Sequence, residues 1–391
     1  MRIGILETDP HGHKLAYVRH LVHVAVEVGT RAVLVTTPSV AASHEFRVNL
    51  GAIRHQFDLL PLGVERGRTA WQDAKAKLTL YREACRRLPP LTHLLIPYAD
   101  GLAQVAGCYR LTHARRAFDH QTRVVGLMMR GGFAYGDDVS LPRQFVGAAS
   151  MTVAAAAHLD HYFLIDPLAY GAMPRRLPWI DVRRFSLVPD PIDQPRMDRA
   201  TARHRLGLND ERPLAGLFGI LDGRKGLDRL LNAFAAPAWP EDVGLLLMGK
   251  VSAVLHGAVE RAAAAAAATH RRLVVDNRYV PDEDLAAGLS AVDVVVTPYA
   301  SHIGSASIAL RAAAAGKPVV ASDFGWFRYV VPRYGLGLIC DTADPSSLAR
   351  TVQLALSSPL IPSAGKAREL HDAAEFRAAW RTQLLRETPQ L

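Results

Sequence analysis

A chain of 391 residues exceeds one ordinary hydrophobic core and suits two domains of about 150–200 residues each. With 49% hydrophobic and 21% charged residues it is excluded from the disordered class, and no stretch of about 18 uncharged apolar residues could span a bilayer. Lys and Arg outnumber Asp and Glu by 46 to 37, but the basic residues are dispersed, with no run beyond a pair such as Arg271-Arg272 and no interleaved aromatics. A nucleic-acid partner is therefore not expected, whereas a basic face against a membrane surface stays open.

Cys85, Cys108 and Cys340 stand far apart at no metal or redox spacing, which fits a reducing compartment. The first residues, Met1 to Asp9, reach acids after only a few apolar positions and do not read as a signal peptide, so a cytoplasmic location is expected.

Along the chain, short Val/Leu/Ile-rich runs alternate with segments of helical period. In the first half they are Ile3–Leu6, Ala32–Thr36, His93–Ile96, Val124–Met128, Tyr162–Ile165 and Phe185–Val188. In the second they are Leu214–Ile220, Val243–Met248, Leu273–Val275, Asp293–Thr297, Pro318–Ser322 and Leu338–Cys340. Each lacks polar alternation, which predicts parallel strands covered by helices on both faces. Strand–helix alternation occurring twice predicts an α/β chain of two doubly wound, Rossmann-like domains. The linker is placed at Asp190–Pro195, giving a first domain of 1–195 and a second of 196–370. The last segment, 371–391, carries Phe376, Ala379, Trp380 and Leu384 at helical spacing and is expected to pack back on the first domain.

Several strand ends carry residues suited to chemistry. After the first run comes Glu7-Thr-Asp-Pro-His-Gly-His13-Lys14, where His11 and His13 flank Gly12. His13 is a candidate to hydrogen-bond a phosphate or to accept a proton. Asp100 follows Ile96-Pro-Tyr-Ala and either orients or deprotonates a substrate hydroxyl or caps a helix beginning at Leu102. Arg130 precedes Gly131-Gly132 and suits an anionic ligand.

The segment Leu217–Phe234 reads as a strand ending at Gly219, a glycine-rich loop, and a helix opened by Gly226. Backbone N–H groups at such a helix start, with Arg224 and Lys225 beside them, make an anion site; alternatively the glycines only form the turn. Within Val294–Ser322, a strand ends at Pro298 and a loop enters a helix that Gly316 closes. There Gly304, Ser305 and Ser307 offer N–H and hydroxyl donors, although Ser305 alone reads equally as an N-cap. Two donor-rich helix starts at the C-terminal ends of parallel strands suggest a diphosphate. Asp282-Glu-Asp284 reads as an acidic helix start, and the scattered histidines have no ligand spacing, so no metal and no other cofactor is expected.

In order and spacing these elements resemble the retaining family-4, or group 1, glycosyltransferases of GT-B fold. The family's strand-Gly-x5-Lys-Gly element is similar to Gly219 through Lys225-Gly226, and its Ala-x-Ala-x-Gly-x-Pro-Val-Val-Ala-Ser segment to Ala312–Ser322. The block from Tyr279 to Pro298 and the interdomain Val188-Pro189-Asp-Pro-Ile192-Asp193 resemble further family signals. The resemblance implies two domains facing across a cleft, a nucleotide-sugar donor with Lys225 on its diphosphate, an unidentified acceptor in the first domain, and transfer with retention. It also implies that Gly12 and His13 face the cleft and that Asp100 lies near the family's usual catalytic histidine.

Departures from the pattern bear on the donor. The family's two glutamates, eight positions apart, fall on Ile303 and Arg311 here, and the usual Arg after Gly219 is Ile220, with Arg224 able to supply the charge. A guanidinium at 311 donates toward phosphate or carboxylate where a carboxylate would accept from ribose hydroxyls; the bland reading has it reaching solvent from a helix surface. His302, beside Ile303, is a candidate to replace part of the lost sugar contact. A nucleotide-sugar epimerase of the same fold and a non-catalytic descendant are the alternative readings.

Overall fold

The computed structural model describes residues 1–11, 14–64, 69–129, 131–192, 197–208, 210–357, 362 and 364–386. The chain forms two compact units: Met1–Pro191 with Asp372–Leu391, and Ile192–His371. The expected linker residues 193–195 lie outside the described residues.

The first unit is built on seven parallel strands: β1 (Ile3–Leu6), β2 (Ala32–Thr36), β3 (Phe57–Pro61), β4 (His93–Ile96), β5 (Arg123–Met128), β6 (His161–Leu164) and β7 (Phe185–Leu187). They lie in the order β3-β2-β1-β4-β5-β6-β7, so the winding reverses between β1 and β4. Ligands of open α/β sheets bind at the carboxyl ends of strands flanking such a reversal. Two apolar layers sandwich the sheet, because β1, β4 and β6 are buried at every position and leave no face for water.

Strand β3 was not expected from the sequence. It is an edge strand, where only Phe57 is fully buried and Asp58 is exposed, and Pro61 ends it. Half-buried edges lack the continuous apolar run that marks a central strand, and proline is tolerated there because one side needs no ladder hydrogen bond.

The helix Ala373–Leu385 lies against the helix Lys14–Glu27 within this unit. Phe376 packs edge-on to Tyr17 at 5.8 Å, and Trp380 sits 4.9 Å from the Phe163 ring. Asp372 caps it by accepting from Ala374 N (2.8 Å) and Glu375 N (2.9 Å). The Trp380 side chain is fully buried and its indole N–H has no hydrogen-bond partner, so its contribution is packing alone. Trp380→Ala is accordingly expected to destabilise this unit by about 3–5 kcal/mol in denaturant titration. A loss below about 1 kcal/mol, the level of an ordinary surface change, would mean the helix is not docked.

The second unit repeats the architecture with β8 (Leu214–Phe218), β9 (Gly244–Met248), β10 (Leu273–Asp276), β11 (Val294–Thr297), β12 (Val319–Ser322) and β13 (Gly337–Cys340). Their order is β10-β9-β8-β11-β12-β13, all parallel, with the reversal between β8 and β11. The loops leaving β8 and β11 therefore emerge side by side at the carboxyl edge. Among the described residues no helix is long and apolar enough to cross a membrane.

Candidate functional site

The loop after β8 is shaped by one carboxylate and two glycines. Asp222 accepts from Lys225 N at 2.9 Å and so caps the single turn Gly223–Lys225. Gly219 and Gly226 have φ of +100° and +72°, left-handed values that favour glycine. Gly226 also permits contact with the loop after β11: a Cβ there would lie 2.0 Å from the Pro298 carbonyl oxygen. Beside it, Ala300 N donates to Arg224 O at 3.3 Å. On the other flank of the same loop, a Cβ on Gly325 would lie 2.1 Å from the His302 carbonyl oxygen. Two side-chain-free positions thus clamp residues 298–302 between the neighbouring loops.

Lys225 occupies the centre of this arrangement. Its ammonium donates to the Tyr299 hydroxyl and lies 4.3 Å from the centroid of the same ring. Burial is the main cause that pushes its pKa down to about 7; the Arg224 charge adds to this and Asp222 opposes it. Arg224 itself is exposed and lies 3.5 Å from Asp222.

His302 packs 5.3 Å from the Tyr299 ring and 5.5 Å from Phe327, and its Nε2 donates to the Ser305 carbonyl at 3.3 Å. Burial first, and the Lys225 charge second, push its pKa down to about 4. The imidazole is therefore neutral near pH 7 and contributes hydrogen bonding, with no positive charge. What remains is a half-buried amine that holds its proton weakly, which an incoming anion would stabilise in its charged form.

Other expected residues fall as follows. Gly304 has φ of +89°, and the helix Ser307–Ala314 starts after Ala306, so Ser305 is not its N-cap; it supplies its carbonyl to His302 instead. Arg311 is only 5% exposed and does not reach solvent. Its Nη2 lies 3.4 Å from Asp282 at the start of the helix Asp282–Ala291, while Nε and Nη1 are buried without hydrogen-bond partners. Ile303, by contrast, is 37% exposed. Asp284 accepts from Arg205 at 2.7 Å and Arg278 at 2.8 Å, in keeping with an acidic helix start.

In the first unit, Gly12, His13 and Arg130 lie outside the described residues. Asp100 begins the helix Asp100–His113, whose cap position is Ala99; the carboxylate accepts from Met129 N at 3.0 Å. It thus ties the end of β4 to the end of β5 and is not the cap of a helix starting at Leu102.

The sequence reading missed a buried ion pair here. Glu7 accepts through Oε1 from Thr8 N (2.8 Å), Asp9 N (3.0 Å) and Lys77 Nζ (2.9 Å), and both side chains are buried. Lys77 comes from the helix Ala70–Arg87, where it looks like one more surface lysine until that helix docks on the sheet. Tyr299, which directly follows Pro298, carries no sequence signal of its contact with Lys225, because that contact depends on the β8 and β11 loops lying side by side.

Two doubly wound parallel sheets, each with its polar loops at the strands' carboxyl edge, define a chain of the GT-B glycosyltransferase fold. Solved structures agree: Anabaena Alr3699/HepE in complex with UDP and glucose superposes with a TM-score of 0.68 at 14% identity, covering 98% of this chain and 99% of that one. Sucrose-phosphate synthase from Thermosynechococcus elongatus gives 0.66 at 19% identity, covering 98% and 94%. Residues 212–358 match the family model of Glycosyl transferases group 1. Among curated proteins, D-inositol 3-phosphate glycosyltransferase of Salinispora arenicola is 31% identical over 229 residues, 55% of this chain and 48% of that protein. The chain spans about half the length of the curated relatives it matches, 44% of a second and 56% of a third.

Proposed function

We propose that the chain is a glycosyltransferase whose second unit binds a nucleoside-diphosphate sugar and which transfers the sugar, with retention of anomeric configuration, to a small-molecule or carrier-bound acceptor. The observation that carries this reading is the half-buried Lys225 amine at the junction of the β8 and β11 loops, in contact with Tyr299 and with its pKa pushed down to about 7. A uridine donor is the first to test, since UDP is bound in a structure of the same fold.

In this reading Lys225, Arg224 and the start of the helix Ser307–Ala314 stabilise the charge that develops on the departing diphosphate. The acceptor hydroxyl attacks from the face the diphosphate leaves, and a leaving phosphate oxygen takes its proton, so no protein base is required. Gly219 keeps the backbone open beside Lys225 Nζ, which lies 3.8 Å from where a Cβ would stand. Neutral His302 is assigned to sugar hydroxyls, and Arg311, with two unpaired donor groups, to an acceptor-rich part of the donor. Gly304, Ser305 and Ser307 line the helix start; by its motif Gly12 is assigned with them to the donor, and His13, Asp100 and Arg130 to the reacting hydroxyl of the acceptor. The resemblance of motifs supports retention, and no metal enters the scheme.

The test is linkage between donor binding and protonation. A diphosphate beside Lys225 restores its charge, so its pKa must rise on binding from about 7 toward the ordinary value near 10.5. Between these limits the complex holds a proton that the free protein lacks, and affinity falls as pH rises. Calorimetry of UDP at about pH 8.5, midway in that window, is expected to show uptake of close to one proton, read from buffers of different ionisation enthalpy. Near pH 6 this uptake should vanish. Absence of UDP binding, or binding without the pH-dependent uptake, would remove Lys225 from the proposed contact.

A further inference from the structure

The helix Leu141–Ala156 of the first unit presents large apolar side chains to solvent over its first two turns. Gln144 is half-buried and donates to the carbonyls of Gly136 (2.6 Å) and Val139 (2.7 Å), while Phe145 and Val146 are 72% and 69% exposed. Leu141, one turn earlier on the same face, is 68% exposed. Trp179 extends this surface at 64% exposure, held in place by its indole N–H donating to Thr152 of the same helix at 2.9 Å. Presenting a phenylalanine, a valine and a tryptophan to water runs against the usual partition, and exposed large apolar side chains gathered on one element and its neighbour mark an interaction site.

Charge says which partner fits. Residues 139–159 and 167–180 contain no Asp or Glu, and Arg143, Arg175 and Arg176 are all exposed. Arg176 is placed beside the apolar face, 3.4 Å from Gln144. Aromatic and aliphatic groups flanked by arginines, without intervening acids, match an anionic lipid surface: the apolar side chains enter the headgroup boundary and the guanidiniums meet phosphates. A second copy of the same face would set Arg143, Arg175 and Arg176 against their own counterparts. We propose that this face docks the protein peripherally on an anionic bilayer, with Phe145, Val146 and Trp179 inserting and Arg143, Arg175 and Arg176 contacting headgroups. This docking does not depend on the donor assignment, because none of these residues belongs to the second unit.

Flotation of the full chain with vesicles tests it. Binding is expected to mixed phosphatidylglycerol–phosphatidylcholine vesicles, at least about tenfold weaker to phosphatidylcholine alone, and weakened by added salt. The double variant Phe145→Glu/Val146→Glu should lose at least about tenfold in vesicle affinity while keeping its thermal midpoint and its UDP affinity, because both side chains are exposed. Trp179→Phe should abolish a vesicle-induced blue shift in tryptophan emission. Equal binding to both vesicle types, or unchanged binding by the Glu variant, overturns the proposal. So does failure to float together with a concentration-dependent dimer that the Glu variant abolishes, which would assign the face to a second copy. Failure to float without a dimer overturns it as well.

Discussion

Replacing Lys225 by Met is expected to lower turnover by a factor of about ten to a thousand, the range for removing one preorganised contact to developing charge, while raising stability near pH 6. The two effects have one origin. An amine whose pKa is depressed from near 10.5 to about 7 is held against its charged form by roughly 5 kcal/mol. The unfolded chain keeps the proton throughout that window and the folded protein does not, so stability rises with pH from about 7 to about 10.5 and is lowest below 7. Met keeps the apolar stem and removes the charge, which relieves this penalty most fully at low pH. Against it stands the Tyr299 hydroxyl, which loses its Lys225 partner inside the fold, a cost of about 1–3 kcal/mol. The relief is the larger quantity, so the thermal midpoint at pH 6 should rise as activity falls. Wild-type turnover in the variant would take Lys225 out of the donor site. Loss of activity together with a lowered midpoint at pH 6 would make the amine a structural one.

The parts of this fold that could be read along the chain are those whose causes are local. Strands β8, β9, β11 and β12 are buried at every position, and such strands show as unbroken apolar runs. The glycines and basic pair of the β8 loop carry their own conformational signature. Strand β3 was invisible because its burial is one-sided. The contacts of Lys225 with Tyr299 and of Gly226 with Pro298 depend on β8 lying next to β11, a pairing across 79 residues set by Val294 opposite Ala215 and Val295 opposite Gly216. Arg311 was open to a solvent reading because the alanines around it form no apolar stripe that fixes which side of the helix faces the sheet. Ile308, Ala309, Leu310, Arg311, Ala312 and Ala313 are all buried, so no side of the middle of that helix is a surface. Asp100 misled in another way: aspartate is a common cap, but the helix begins at Asp100 itself and its carboxylate serves the neighbouring strand end.

Gly226→Ala is expected to damage both stability and donor binding, and Gly316→Ala provides its control. Both glycines have φ of +72°, so an alanine at either position bears the same left-handed strain, about 1–2 kcal/mol. At Gly316 nothing lies within 4 Å of the new Cβ, and the strain is the whole expected effect. At Gly226 the Cβ would fall 2.0 Å from the Pro298 carbonyl oxygen and 2.8 Å from its carbon, both backbone atoms that no rotamer change can move aside. The β8 loop must then retreat from the β11 loop, adding about 1–3 kcal/mol of overpacking. The same retreat draws Lys225 away from Tyr299 and separates the two helix starts that are proposed to share one diphosphate. Chemical denaturation should therefore rank Gly226→Ala well below Gly316→Ala, and only the former should weaken UDP in calorimetry, by tenfold or more if about 1.4 kcal/mol of contact is lost. Equal stability losses would show that the backbone contact carries no weight. A destabilised Gly226→Ala that still binds UDP normally would separate the clamp from the ligand, because a diphosphate bridging both loops cannot be indifferent to the distance between them.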